Sequence, residues 1–323
     1  MMTKDQVTST IERYGILPVI NITELEKTIP LVNALRSGGL PLIEVTLRSE
    51  NSLESIKRIK SVYPDMLVGA GTVLTAEKAD EAISAGADMI VSPGFDPELV
   101  KYCNERNIVA IPGCSTASEI QEAVKRGVSI IKFFPSELSG GTAAIKLLSG
   151  PFPDVRFLPT GGITLDNLGE YLSSDKIIAC GGSFMANSEM LKNCDYSAIT
   201  YACKSAVAVS LGFRLAHIGI NHNSRGEAEK TAKRLSALFG LGIRDCTASV
   251  FAGDIAECME NTRFGTHGHI GISTISIPRA MAYLENLSVE FDEGSFKRDK
   301  TGNITCAYFK EEIAGFALHI VKE

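Results

Sequence analysis

At 323 residues, 45% of them hydrophobic and 22% charged, the chain is long enough for two domains and can bury a sizeable core. The net charge of −6 divides into 19 basic and 24 acidic residues before Phe213, and 13 and 14 from there on. Neither part carries a basic field, which excludes nucleic-acid partners. With no Cys-x-x-Cys pair among eight cysteines, no charged-then-apolar leader and no membrane-spanning apolar run, we expect a cytoplasmic protein with free thiols and no membrane partner.

Apolar strands and amphipathic helices alternate through roughly the first 210 residues. Strands are predicted at residues 15–20, 41–48, 67–70, 89–92, 108–111, 130–133, 156–159 and 177–180. Helices are predicted at residues 22–38, 52–62, 76–85, 97–106, 117–126, 142–148 and 166–172, with a lead-in helix at 8–14 and another ending near 211. So compact an alternation favours a (β/α)8 TIM barrel over an open parallel sheet, and hence an α/β fold.

Lys132 stands near the end of an apolar, β-branched run that Pro135 closes, which is typical of a buried parallel strand. In α/β barrels the chemistry lies at the carboxyl ends of the strands. Burial there disfavours the ammonium form, so the amine can attack a carbonyl carbon and form a Schiff base. The alternative is a lysine whose head simply reaches solvent.

Glu44 lies inside an otherwise apolar strand, where a carboxylate needs a partner or a polar cavity. It is a candidate general acid or base, the alternative being a structural ion pair with Arg48 or Lys132. Gly69-Ala70-Gly71-Thr72 lets a substrate approach the backbone, and the Thr72 hydroxyl and Arg48 can hold a carboxylate.

Two glycine-rich turns follow the seventh and eighth predicted strands: Thr160-Gly161-Gly162 and Gly181-Gly182-Ser183. Glycine-rich turns at these two positions expose backbone N–H groups near a helix N-terminus, as many TIM barrels do to hold a phosphate. They predict a phosphate site, and ordinary tight turns are the alternative.

The order and spacing of seven motifs resemble the 2-dehydro-3-deoxy-6-phosphogluconate (KDPG) and 4-hydroxy-2-oxoglutarate (KHG) aldolase family. The motifs are Ile43-Glu44-Val45-Thr46-Leu47-Arg48, Gly69-Ala70-Gly71-Thr72-Val73-Leu74, Ser92-Pro93-Gly94, Ile111-Pro112-Gly113, Lys132-Phe133-Phe134-Pro135, Pro159-Thr160-Gly161-Gly162-Ile163 and Gly181-Gly182-Ser183. The resemblance covers nearly all of residues 1–212 and implies a metal-free class I aldolase on a TIM barrel, usually trimeric.

The same resemblance implies roles for individual residues. Lys132 would form the Schiff base with the C2 carbonyl of a phosphorylated 2-keto-3-deoxy sugar acid or of hydroxyoxoglutarate, and Glu44 would move protons. Arg48 and Thr72 would hold the pyruvate carboxylate. The remaining substrate-binding positions are Pro93 and Phe134, which would shape the pocket, and Thr160, Gly161, Gly162, Gly182 and Ser183, which would form the phosphate site.

After Gly212 the strand–helix rhythm changes, so a second domain is expected over residues 213–323. Strands are predicted at residues 214–221, 248–251, 255–259, 269–273, 305–309 and 316–321, and helices at 227–239 and 277–287. We interpret this order as one βαβββ unit present twice, which makes a smaller α+β domain.

The duplicated unit resembles the vicinal-oxygen-chelate superfamily, which includes glyoxalase I. Leu215-Ala216-His217-Ile218, Ile255-Ala256-Glu257, Gly268-His269-Ile270-Gly271-Ile272 and Gly315-Phe316-Ala317-Leu318-His319 match its module-opening and module-closing strands. The resemblance implies His217, Glu257, His269 and His319 as ligands of a divalent metal, with Zn, Ni, Fe and Mn all suited to such a set. His319 departs from the family, which usually has a carboxylate there.

Other readings stay open. The histidines can be satisfied core or surface residues, in which case the second domain stabilises a trimer or senses a small molecule. Polar residues Asp254 and Glu260 and the loop from Arg263 to His267 lie near its expected cavity. For the first domain, the alternatives to an aldolase are a phosphosugar isomerase or epimerase, and a non-enzymatic phosphosugar sensor.

Overall fold

The chain folds as two units, Met1–Ser210 (unit 1) and Leu211–Glu323 (unit 2). The computed structural model describes residues 2–262 and 264–323, so Arg263 of the predicted polar loop lies outside the described residues. Among the described residues, no helix is both long enough and apolar enough to cross a membrane.

Unit 1 opens with a helix and then alternates parallel strands with helices. In chain order its elements are α1 (Lys4–Tyr14), β1 (Ile16–Ile20), α2 (Thr28–Ser37), β2 (Leu42–Thr46), α3 (Ser52–Val62), β3 (Leu67–Gly71), α4 (Ala76–Ser84), β4 (Met89–Val91), α5 (Pro97–Glu105), β5 (Val109–Ile111), α6 (Ala117–Val124), β6 (Ile130–Phe133), α7 (Gly141–Ser149), β7 (Arg156–Pro159), α8 (Leu165–Leu172), β8 (Cys180–Gly182), α9 (Ser188–Lys192) and α10 (Tyr196–Leu211). The strands are almost wholly buried, which explains why they are near-continuous apolar runs.

Strand pairing in unit 1 is parallel throughout. Six strands form one sheet in the order β5-β4-β3-β2-β1-β8, and β6 pairs with β7 in a second. Isolated parallel bridges join Gly113 to Lys132 and Thr160 to Gly181. The sequence predicted a barrel of eight strands. The strands that pair by hydrogen bonding do not form one continuous ladder through all eight. One reason is Pro112, which accepts from the Lys132 N–H but has no N–H of its own to extend that pairing.

Two predicted elements of unit 1 differ in detail. The single helix predicted at 22–38 is a 3₁₀ turn, Leu25–Lys27, followed by α2. Strand β8 lies at Cys180–Gly182 because it takes its register from β1, where Ile16 pairs with Cys180, whereas Ile177 makes only an isolated bridge to Phe157. Gly181 and Gly182, predicted as a turn after the eighth strand, therefore lie within β8, where they pair with Leu17 and Pro18, and Ser183 follows the strand.

Unit 2 is an eight-stranded, mixed sheet with two long helices. Its elements are β9 (Arg214–Asn221), α11 (Arg225–Phe239), β10 (Ile243–Asp245), β11 (Ser249–Ala252), β12 (Ala256–Met259), β13 (Gly268–Thr274), α12 (Ile277–Asn286), β14 (Lys297–Arg298), β15 (Ile304–Ile313) and β16 (Phe316–Lys322). The sheet order is β10-β11-β12-β9-β13-β16-β15-β14. Strand, helix and three strands therefore occur twice, and the two halves meet where β9 and β13 pair antiparallel.

Strands β10 and β14 are missing from the sequence-based prediction. Both are short edge strands whose residues are exposed and largely charged, so neither carries the apolar alternation that marks a half-buried strand.

The two faces of the unit 2 sheet carry different side chains. Beneath α11, Ala228 and Ala232 pack on alternate residues of β11 and β12, and the other face carries the predicted histidines. We call this second face the histidine face.

Candidate functional site

Lys132 lies in β6 and is 6% exposed. Its Nζ donates to Glu44 Oε1 at 3.1 Å and lies 5.6 Å from the centre of the Phe134 ring. The amine and the carboxylate are thus within hydrogen-bonding distance in a site that is nearly closed to water. The pair can therefore pass a proton between nitrogen and oxygen, as amine attack on a carbonyl requires.

Glu44 is fully buried in β2, and a glycine makes room for it. A Cβ added at Gly71 would lie 2.2 Å from Glu44 Oε1, so any side chain at that position would displace the carboxylate. Within the described residues, Glu44 Oε2 has no hydrogen-bond partner. A buried oxygen left in this way is available to a water molecule or to a substrate hydroxyl.

Arg48 and Thr72 meet just beyond β2 and β3. Arg48 Nε donates to Thr72 Oγ1 at 3.2 Å. Thr72 has a φ of 59°, the left-handed region that a β-branched residue rarely adopts. Strain of this kind tends to persist at functional sites, and here it holds a hydroxyl beside a guanidinium that can grip a carboxylate.

A cavity of about 570 Å³ lies at the carboxyl ends of the strands of unit 1. Seven of the predicted site residues line it: Arg48, Phe134, Thr160, Gly161, Gly162, Gly182 and Ser183. Gly161 and Gly162 have φ values of 92° and 84°, which L side chains rarely adopt. A Cβ at Gly162 would also lie 2.3 Å from Glu137 Cγ, so this turn requires glycine for space as well as for conformation.

Four predicted residues do not line this cavity: Lys132, Glu44, Thr72 and Pro93. Lys132 and Thr72 contact residues that do, namely Phe134 and Arg48. Pro93 packs instead on Gly113, where an added Cβ would lie 2.1 Å from the Pro93 carbonyl oxygen. The amine and the carboxylate therefore lie next to the cavity, beside Phe134, and do not form part of its lining.

The sequence analysis missed several polar residues of the cavity. They are Asn21, Thr23, Lys27, Asn187, Ser188 and Lys192. Asn21 follows β1 directly, so the rule that strand ends carry the chemistry could have found it. Lys27 donates to the carbonyls of Leu191 and Lys192, a contact between distant segments that the sequence does not signal.

Residues 7–202 match the family model described as "Aldolase: KDPG and KHG aldolase". The chain belongs to this family. It is 44% identical over 190 residues to the 2-dehydro-3-deoxy-phosphogluconate aldolase of Treponema pallidum, covering 59% of this chain and 90% of the relative. The predicted resemblance to this family is thereby confirmed over residues 7–202, and the chain is an aldolase, a carbon–carbon lyase.

Solved aldolases overlie the same region. The KDPG aldolase of Legionella pneumophila, captured with pyruvate as a covalent carbinolamine, has a TM-score of 0.61 and 38% identity, over 62% of this chain and 98% of that one. The 2-keto-3-deoxy-6-phosphogluconate aldolase of Zymomonas mobilis with 3-phosphoglycerate has a TM-score of 0.60 and 36% identity, over 63% and 95%. The aldolase fold of unit 1, parallel strands curled and wrapped by helices, follows from these matches.

Unit 2 of this aldolase brings the four predicted metal ligands together. One ring nitrogen each of His217, His269 and His319 can be chosen so that all three lie within 4.8 Å of one another. Glu257 Oε2 lies 3.1 Å from His269 Nε2 and 3.4 Å from His217 Nε2. The four side chains come from β9, β12, β13 and β16, which are adjacent in the order β12-β9-β13-β16.

Two glycines on the histidine face let these rings converge. Gly219 pairs with Glu257 on one neighbouring strand and with His269 on the other. The His269 ring occupies the space that a side chain at Gly219 would fill, since its Cε1 lies 2.0 Å from the position of an added Cβ. Gly271 pairs with His217 and His319 and is covered in the same way by His217, at 2.6 Å. The sheet surface is therefore hollowed beneath the imidazoles.

The protonation states suit a metal. Burial is the main cause that lowers the pKa of His217, and burial with the neighbouring imidazoles lowers the pKa of His319 to about 3. Burial alone would raise the pKa of Glu257, but hydrogen bonds from His269 and Ser249 bring it to about 2. At neutral pH His217 and His319 are therefore neutral and Glu257 is ionised, the states in which these groups bind metal.

The distances from Glu257 to two of the imidazoles also fit a metal site. Ligand atoms about 2.1 Å from one metal ion are about 3.0–3.4 Å from their neighbours in tetrahedral or octahedral arrangements. The two Glu257–imidazole distances fall in this range. Within the described residues, Nδ1 of His269 and Nδ1 of His319 are buried with no hydrogen-bond partner, so the cluster is not satisfied by the protein alone.

Proposed function

We propose that unit 1 is a class I aldolase that reversibly cleaves KDPG to pyruvate and glyceraldehyde 3-phosphate, KHG to pyruvate and glyoxylate, or both. The observation that carries this proposal is the buried contact between Lys132 Nζ and Glu44 Oε1, 3.1 Å apart, beside a cavity lined by the Gly161-Gly162 turn and the glycine-rich end of β8. The named relatives, which are KDPG aldolases matched over 90% or more of their length, support it.

In this proposal the Lys132 amine attacks the C2 carbonyl of the substrate. The carbinolamine loses water to give an iminium, and Glu44 accepts and returns the protons, through water bound at its unpartnered Oε2. Next, the hydroxyl on C4 loses its proton while the C3–C4 bond breaks. The bonding electrons move to the iminium, which accepts them far better than a ketone does, and leave an enamine. Glu44, having taken the hydroxyl proton through water, returns a proton to C3 of the enamine. Hydrolysis of the resulting iminium releases pyruvate and frees the lysine.

The substrate would lie along the cavity. Arg48 and Thr72 hold the carboxylate next to C2, and the backbone N–H groups of the Gly161-Gly162 turn, with Ser183 at the end of β8, hold the phosphate. Phe134 and Thr160 line the wall between these two ends, and Gly182 leaves room there. Pro93 supports the strand ends from behind through its contact with Gly113.

We further propose that the eight strands of unit 1 close into a barrel. Two observations support closure: the single bridges at Gly113–Lys132 and Thr160–Gly181 span the two breaks between the sheets, and Lys132 of β6 reaches Glu44 of β2, four strands away.

We also propose that the protein is a cytoplasmic homotrimer. Exposed leucines of unit 1, among them Leu138 at 89% and Leu147 at 78%, are suitable for contacts between copies.

The isomerase or epimerase and the sensor are not favoured, because neither reading needs an amine nearly buried against a carboxylate. Borohydride reduction in the presence of pyruvate, followed by peptide mapping, tests the aldolase proposal. We expect a reduced pyruvyl adduct on Lys132 and on none of the other lysines. A folded protein that gives no adduct, or one on a surface lysine only, would contradict the Schiff-base mechanism.

For unit 2 we propose a glyoxalase-like, metal-binding domain in which His217, Glu257, His269 and His319 hold one divalent ion, with Zn, Ni, Fe and Mn as candidates. Such an ion would supply a Lewis acid. The convergence of three imidazoles and a carboxylate over two glycines favours this reading over a trimer-stabilising or sensory appendage, neither of which calls for ring nitrogens without partners in the sheet.

Cobalt(II) titration of the full-length chain tests this second proposal, since Co(II) reports its ligands by visible absorption. We expect one equivalent per chain, with visible absorption that saturates at that ratio, and an affinity at least about tenfold lower in His319→Ala. The matched control is His222→Ala, because His222 is bonded to Thr231 and Met259 away from the cluster. No saturable Co(II) binding by the folded chain would refute the site.

A further inference from the structure

A hydroxyl buried behind the Gly161-Gly162 turn has no part in the mechanism proposed above. It belongs to Tyr171 of α8, whose side chain is 1% exposed. The Tyr171 hydroxyl donates to Glu137 Oε1 and lies 2.9 Å from Ser136 Oγ. Ser136 is itself fully buried. Tyr171 therefore ties two consecutive residues of the segment after β6 to the helix that follows the turn.

The same two residues hold the turn through their backbone. The Ser136 N–H donates to the Thr160 carbonyl at 2.8 Å, and the Glu137 N–H donates to the Gly161 carbonyl at 3.2 Å. The Glu137 side chain also packs against Gly162, where an added Cβ would lie 2.6 Å from Glu137 Cβ and 2.3 Å from Cγ. The position of Glu137 therefore sets the position of the turn that is proposed to hold the phosphate.

The Glu137 carboxylate is held on the side of the turn away from the cavity. Glu137 is exposed, but it does not line the cavity. Its Oε1 lies next to Tyr171 and near Gly141, the first residue of α7, where an added Cβ would be 3.4 Å from it. The N-terminal end of a helix attracts a negative charge. Without the tyrosine hydroxyl, a carboxylate beside Gly162 would be free to turn towards the cavity and repel a phosphate.

The reacting residues are held by other contacts. The Lys132 N–H donates to the Pro112 carbonyl at 3.0 Å, and the Lys132 carbonyl accepts from the Cys114 N–H at 2.9 Å. Glu44 lies in β2, which pairs with β1 and β3. None of these contacts involves Tyr171, so loss of its hydroxyl should leave the amine and its carboxylate in place.

We propose that Tyr171 is a positioning residue for phosphate recognition. Through Ser136 and Glu137 it holds the Gly161-Gly162 turn in the shape that accepts the phosphate of KDPG, and it keeps the Glu137 carboxylate out of the cavity. It contacts neither the substrate nor Lys132. This inference rests on the aldolase function proposed for unit 1, and it adds a residue that favours the phosphorylated substrate over the unphosphorylated one.

Tyr171→Phe in the full-length chain tests this inference, because it removes one oxygen and keeps the buried ring. For KDPG we expect KM to rise about tenfold with kcat within about twofold, and the Ki of inorganic phosphate, competing with KDPG, to rise by a similar factor. Both kcat and KM for KHG, which has no phosphate, should stay within about twofold. Tyr102→Phe is the matched control, since the Tyr102 hydroxyl also donates to a carboxylate, that of Asp80, and Tyr102 does not line the cavity.

A second variant shows whether Tyr171 acts through Glu137. Because Glu137 is exposed, Glu137→Ala removes the acceptor without opening the core, and it should also raise KM for KDPG. The double variant should be no worse than Tyr171→Phe alone, because both changes remove the same bond. Glu137→Gln keeps an oxygen acceptor for the tyrosine, so its KM for KDPG should stay within about threefold of that of the unmodified chain.

The outcomes separate this inference from the proposed function. An unmodified chain that releases pyruvate from neither substrate would overturn the aldolase function and this inference together. An active chain that cleaves KHG but not KDPG would overturn this inference alone. The same holds for a Tyr171→Phe protein whose KM for KDPG matches that of Tyr102→Phe, or whose kcat falls equally for both substrates with KM unchanged. A Glu137→Ala protein with an unchanged KM for KDPG would likewise overturn it.

Discussion

Replacing Lys132 with methionine is expected to lower kcat/KM for pyruvate release by about 10⁴-fold or more, with both KDPG and KHG as substrates. Methionine keeps most of the side chain's volume in a site that is 6% exposed, but it has no amine. Without the iminium there is no group to accept the electrons of the breaking C3–C4 bond. Pyruvate release, followed with coupled lactate dehydrogenase, measures the effect.

Lys60→Met is the matched control, because it removes another partly buried lysine paired with a buried carboxylate. Lys60 Nζ lies 2.9 Å from Asp88 Oδ2, and the Asp88 side chain is fully buried. Leaving that carboxylate unpaired should cost about 3–5 kcal/mol of unfolding free energy while kcat is retained. If Lys132→Met still turns over substrate at a rate comparable to Lys60→Met, Lys132 is a structural residue and the proposed mechanism fails.

A second variant separates the chemistry from phosphate recognition. Gly162→Ala would place a Cβ 2.3 Å from Glu137 Cγ in a turn with a φ of 84°, so it should distort the proposed phosphate loop. It is expected to raise KM for phosphorylated KDPG and to leave KHG, which has no phosphate, nearly unaffected. Lys132→Met, by contrast, should affect both substrates alike.

A feature of this molecule could be predicted from the sequence when it is local to one strand, and could not when it depends on how distant strands are arranged. Lys132 and Glu44 could be identified because a charged residue within a buried apolar strand is anomalous whatever its partner. Their 3.1 Å contact joins β6 to β2, and that depends on how strands 88 residues apart are arranged, which periodicity does not encode. Arg48 and the glycine-rich segments could be found from their positions at the ends of strands. Lys27 was missed, because the 3₁₀ turn that brings it to the cavity was predicted as ordinary helix.

The same limit applies to unit 2. Four ligands could be proposed from a resemblance, but the roles of Gly219 and Gly271 were invisible, because a glycine in a strand acquires meaning only from the residue that faces it across the sheet. Strand register decides this, and register is set by pairing over the whole sheet. Edge strand β10, too polar to be predicted, carries Arg244, whose guanidinium lies 4.3 Å over the Phe251 ring next to His217, so this cation was also missed.

Gly219→Ala is expected to lower Co(II) affinity by about 100-fold or more. Its Cβ would lie 2.0 Å from Cε1 and 2.1 Å from Nδ1 of His269, closer than any real contact, so the ring must leave its position. Displacing one ligand by a neighbouring residue is comparable to losing the partners that orient it, which commonly costs 10–100-fold in affinity. The side chain of His269 is 1% exposed and has no solvent-filled space to move into while it stays near the cluster.

Gly271→Ala should have a smaller effect, about tenfold, because the His217 ring above it is 14% exposed and can rotate outward before it rebinds. Gly226→Ala in α11, where an added Cβ meets nothing within 4 Å, is the control and should bind Co(II) as the unmodified chain does. Equal Co(II) affinity in all three variants, with circular dichroism showing a folded sheet, would mean that the imidazoles do not share a metal. If the imidazole rings that lie over these glycines share a metal, the loss of Co(II) affinity should be largest for Gly219→Ala, smaller for Gly271→Ala and absent for Gly226→Ala.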